Sequence, residues 1–126
     1  MYRLFAYADS SDLIAHEAIL VRAFSDFAST WPVSETVLTN KQAPLVQGQE
    51  FADWNIGLRV NAPVLTREDV EQLLSFLAHL SRTVNLPFVV GTWRKRTVGT
   101  TDLCCIDRHV PDGAAGIILE GANAPQ

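Results

Sequence analysis

The sequence predicts an α+β domain: one antiparallel sheet with two helices on one face, in the order β-α-β-β-α-β with a further strand at the end. Three observations predict it. Two segments carry apolar residues at three- and four-residue steps, the period of a helix with one buried stripe. Short runs rich in aromatic and β-branched residues surround them, and one of these, residues 54–60, alternates strictly between apolar and polar. The 126 residues are 48% hydrophobic and 19% charged, enough for one real core without staples.

The elements follow in order. Residues 2–8, YRLFAYA, read as a first strand rich in aromatics. DSSD follows, where Asp9 or a serine is expected to cap a helix by accepting a first-turn N–H. That helix is expected over 12–29, with Ile14, Ala18, Val21, Phe24 and Ala28 as its core-facing stripe. Pro32 ends it, because proline disfavours helical geometry at Trp31. Residues 35–40 form a second strand. Residues 41–53 contain Pro44 and Gly48, show no period and read as an irregular connection. In the third strand, 54–60, Trp54, Ile56, Leu58 and Val60 share the buried face. Asn55, Gly57, Arg59 and then Asn61 share the other.

The second helix has the strongest local signal. Thr66 stands three residues before Asp69, the spacing of a capping box. Glu68, Asp69 and Glu71 sit where the helix dipole favours anions. Val70, Leu73, Leu74, Leu77, Leu80 and Val84 make the apolar stripe, Asn85 suits a left-handed stop, and Pro87 prevents continuation. Two strands follow, FVVGTWRKRTV and TTDLCCID, joined near Gly99. The body is taken as residues 1–112. The Gly/Ala-rich residues 113–126 are a tail in which GIILE either adds a short strand or docks as an arm. The first six elements resemble, in order alone, the split βαβ plan of ferredoxin-like folds. Fold does not fix function.

Net charge is −4 and the sequence pI near 5.2, which disfavours general nucleic-acid or anionic-membrane binding. No apolar run reaches transmembrane length, and the N-terminal apolar run is too short for a secretory signal. Cys104 and Cys105 are adjacent and make a poor disulfide framework, so two free thiols and a cytoplasmic location are expected. On a strand they face opposite sides and cannot share one metal. No second pair completes a zinc site, so both are read as structural. Asp107, His109 and Asp112 are read as a polar turn, His16 as solvent-facing and His79 as a boundary residue. No nucleophile elbow, P-loop or dinucleotide fingerprint is present, so no catalytic residue, metal or cofactor is assigned.

Arg94 and Arg96 point one way from their strand, Trp93 and Lys95 the other. With Arg59 or Arg108 they are candidates for an anion site, since guanidinium groups fork onto carboxylate or phosphate. Asn55 and Asn61 would line the same polar face, and Trp93 would anchor an interface. The leading expectation is a non-catalytic binding protein of the inhibitor or immunity type, whose acidity steers it to a protein partner. The alternative is a domain that binds or sequesters a small, nucleotide-like anion at Arg94, Arg96, Arg59 and Asn55. A further alternative is a dimeric enzyme with His79, His109 or Asp107 in a pocket between sheet and helices. The apolar content is high for one small sheet with two helices, so a homodimer or partner-bound subunit is expected.

Overall fold

The computed structural model describes residues 2–9, 13–33, 35–42, 54–93 and 100–123. Their elements are β1 (Tyr2–Ala8), α1 (Glu17–Thr30), β2 (Thr36–Gln42), β3 (Trp54–Ala62), α2 (Arg67–Val84), β4 (Phe88–Trp93), β5 (Thr100–Ile106) and α3 (Ala114–Ala122). The five strands form one open sheet in the order β2-β3-β1-β4-β5, and every neighbouring pair is antiparallel. Alternation decides which face is covered. Leu4, Ala6 and Ala8 of β1 join Ile56, Leu58, Val60 and Ala62 of β3, Phe88 and Val90 of β4 and Ile106 of β5. All lie in one buried cluster with residues of the three helices. Among the described residues the other face carries no helix.

α1 lies against β2 and β3, and α3 against β4 and β5. Phe76 of α2 stacks on Phe27 of α1 at 4.3 Å and meets Phe24 edge-on at 5.5 Å. The Trp31 indole N–H donates to the Asp69 carbonyl at 3.1 Å, locking the end of α1 to the start of α2. The capping box of α2 forms as its spacing predicts. The Thr66 hydroxyl accepts from the Asp69 N–H, the Asp69 carboxylate accepts from the Thr66 N–H, and Asn85 closes the helix with φ of 57°. Ser81 is fully buried on α2, and its hydroxyl donates to the Leu86 carbonyl while accepting the Arg108 N–H, so burial leaves it satisfied.

Three expectations need correction. α1 begins at Glu17, later than expected. Its N-cap is His16, which makes no side-chain cap bond, so Asp9 and the serines do not start it. Ile14 therefore sits in a turn outside the helical phase and is 77% exposed, and Ala18 is also exposed. Leu13 and Leu20 fill the core in their place, beside Phe24, which is buried as expected. The second correction is that three helices, not two, cover the sheet. GIILE lies within α3 and is not a strand. Ala114, Ala115, Ile118 and Ala122 are buried at helical spacing, an alanine-rich stripe that fits close against the sheet. The third is that Lys41 and Gln42 extend β2; the rest of the expected connection, 43–53, lies outside the described residues.

Candidate binding face

The helix-free face is built by the odd members of β1 to β4; on β5 the bulge shifts the pattern, so Asp102 and position 100 join Cys105 there. One cross-strand row runs Val37, Arg59, Phe5, Gly91, Asp102 from β2 to β5. The next row runs Thr39, Gly57, Tyr7, Val89, Cys105. On the other side of the first row Asn61 pairs with Arg3, and Trp93 pairs with position 100.

Phe5 is only 3% exposed although no helix covers it. Gly91 explains part of this. A Cβ there would lie 2.4 Å from the Phe5 ring, so the ring occupies the space that a side chain on β4 would need. Tyr7 meets the same ring edge-on at 4.9 Å. The Arg59 guanidinium reaches from β3 across β1 and lies 4.4 Å from the centre of the Trp93 ring. Gly57 permits a close approach of another kind, because a Cβ there would lie 1.8 Å from the Ala6 carbonyl oxygen.

The charges on this face are segregated. Arg3 and Arg59 occupy one corner, and neither forms an ion pair among the described residues, whose ion pair is Arg67–Glu71 on α2. Beside them the Asn61 Oδ1 is buried without a hydrogen-bond partner among the described residues, which costs on the order of 1–3 kcal/mol. At the β5 side, Asp9, Asp102 and Asp107 surround Cys105. Burial first, then these carboxylates, push its thiol above the ordinary value; burial and then Cys105 do the same to Cys104. Cys105 is exposed on the helix-free face and Cys104 packs toward the core, as alternation requires. A bulge on β5 opposite Val90 and Gly91 turns Leu103 toward Gly121 of α3.

The expected site residues divide as follows. Arg59, Asn61 and Trp93 come together on this face. Asn55 belongs to β3 at a position of the same face. Arg94 and Arg96 lie outside the described residues. Arg108 is held elsewhere, its guanidinium donating to the Asn85 side chain at the end of α2. His79, His109 and Asp107 are exposed, and His16 is half-buried at the start of α1, which corrects its solvent-facing reading. Among the described residues no group of His, Cys, Asp and Glu is placed to hold a metal. Two surface grooves lie apart from Arg3 and Arg59. One of about 450 Å³ runs between α1 and Asn40 of β2, and one of about 350 Å³ lies where α2 and α3 begin.

Sequence reasoning passed over Arg3, Phe5 and Tyr7. The signal was the alternation in YRLFAYA, which sets these three opposite Leu4, Ala6 and Ala8. No described helix is long and apolar enough to cross a membrane. No family model matches the chain, and no curated protein or solved structure matches it either.

Proposed function

We propose that this chain is a binding protein whose helix-free sheet face takes a small planar anion, nucleotide-like in chemistry, at Arg3, Arg59 and Trp93. The observation that carries the reading is the Arg59 guanidinium over the Trp93 ring, beside Arg3, neither of them in an ion pair among the described residues. A stacked guanidinium is already oriented, so it loses little freedom when it meets phosphate or carboxylate. The exposed side of such a stack also accepts a flat ring. Strand order β2-β3-β1-β4 with α1 and α2 on one face supports a ferredoxin-like plan, extended by β5 and α3. Two free thiols favour a reducing compartment, the cytoplasm.

A second reading, a protein that masks an effector, is favoured by the three carboxylates around Cys105, which would draw a basic partner. One titration separates the two. Tryptophan fluorescence is followed as ADP, and separately inorganic phosphate, is added at low protein concentration, with Trp93→Phe as the control. Saturable quenching by ADP, weakened about tenfold by Arg59→Ala and lost in the control, is expected. No saturation in either titration retires the anion site and leaves the masking role.

A further inference from the structure

We propose that the outer edge of β2 pairs with β2 of a second copy of this chain, antiparallel about a two-fold axis at Leu38, so that the two sheets become one. β2 ends the sheet on its side, and no strand neighbours its outer edge among the described residues. Sheet edges are ordinarily blunted by a charge, a proline or a bulge, because their open N–H and C=O groups recruit other strands. The other edge strand, β5, has two of these devices, Asp102 and the bulge opposite Val90 and Gly91. β2 has none of them from Thr36 to Asn40: the run is TVLTN, and its register with β3 is unbroken. It instead exposes an apolar side chain on each face, Val37 at 60% and Leu38 at 37%.

The strand is complementary to itself. Centring the pair on Leu38 sets Thr36 opposite Asn40 of the partner subunit, Val37 opposite Thr39 of the partner subunit and Leu38 opposite Leu38 of the partner subunit. Position 35 is a glutamate and position 41 a lysine, so the acidic start of each strand comes beside the basic end of the other. The helices fit the same axis. Thr36, Leu38 and Asn40 pair with Val60, Leu58 and Ile56, all buried, so they lie on the face that α1 covers. α1 rests against both β2 and β3. A helix midway between those strands stands one strand spacing from the axis, so α1 and its copy come roughly 10 Å apart, the spacing of packed helices. The flank of α1 turned to β2 is small enough for that approach: Ala18, Val21 and Ser25 line the open groove of about 450 Å³ beside Asn40. The charged residues of that groove, Glu17, Arg22 and Asp26, include both signs, as a surface that meets itself requires.

Arg3, Arg59 and Trp93 lie off this edge, on other strands, so the dimer and the anion site fail separately: one by mass, the other by fluorescence at dilution. Sedimentation equilibrium on the full chain is expected to give a dimer. Leu38→Lys and Leu38→Asp should each weaken it roughly tenfold or more, because each sets like charges against each other on the axis. An equimolar mixture of the two variants should recover the dimer as a mixed pair, which also shows that both variants fold. A second measurement needs no variant: amide exchange in β2 of the wild-type chain should slow as protein concentration rises. A wild-type monomer overturns the proposal and leaves the edge to an extended segment of another protein. So does a dimer indifferent to both variants, a mixture no better than either variant alone, or a dimer whose β2 amides exchange as fast as the monomer's.

Discussion

Cys105 is exposed and yet set up to be unreactive. Its thiol is raised by partial burial and then by Asp9, Asp107 and Asp102, so the nucleophilic thiolate is scarce near neutral pH. Iodoacetamide should modify it more slowly than a thiol in the unfolded chain, with the rate still climbing above pH 9.0, the ordinary thiol value, where an unperturbed thiol begins to level off. Asp9→Asn should lower the thiol value and speed the reaction; equal rates in the two proteins would remove the electrostatic account. The sign for stability follows. The folded state holds this proton more tightly, so the contribution is present below the ordinary thiol value and is lost as pH rises through the folded one. Adjacency and strand alternation made the opposed facing of Cys104 and Cys105 legible in the sequence. The carboxylates around Cys105 were not legible, because residues 9, 102 and 107 meet only once β1 and β5 flank β4.

Among the elements, legibility tracked how local the determining chemistry is. α2 carries its start, stripe and stop within its own residues, from the Thr66–Asp69 box to the left-handed Asn85, and it could be read without its neighbours. α1 could be read only in part. Its polar first turns left the phase open, and the choice between Leu13 and Ile14 was made by the core they meet. α3 could not be read, because three glycines in ten residues suggest a loop. Two of those glycines, Gly113 and Gly121, have a local reason in the fold, and Gly116 does not. Gly113 adopts a φ of 76° just ahead of the helix, Gly116 faces open space, and Gly121 leaves room for Leu103. Opposite responses within this helix are therefore expected. Gly116→Ala should stabilise by about 0.5–1 kcal/mol, since it adds helix propensity and meets nothing. Ile118→Ala should destabilise by about 2–5 kcal/mol, since that side chain is fully buried. Urea denaturation of both variants checks this, and two changes of the same sign would contradict the packing of α3.

At the scale of the whole molecule, the question is whether residues 113–126 belong to the same cooperative unit as residues 1–112. Ala114, Ala115, Ile118 and Ala122 share one buried cluster with Phe88, Val90 and Ile106, and α3 also contacts α2. Removing the segment would uncover the sheet under β4 and β5. A domain has only about 5–15 kcal/mol of net stability, and the burial of Ile118 alone is worth about 2–5 of it. A chain ending at Asp112 should therefore lose its cooperative transition, or keep one far below that of the full chain. In the full chain, amide protons of α3 should exchange through the same global opening as those of β4. The opposite result has a definite meaning. If the shortened chain unfolds sharply at nearly the wild-type urea midpoint, the final segment is a docked arm. The sheet then holds itself together with α1 and α2 alone, as the element order of the first 112 residues predicts.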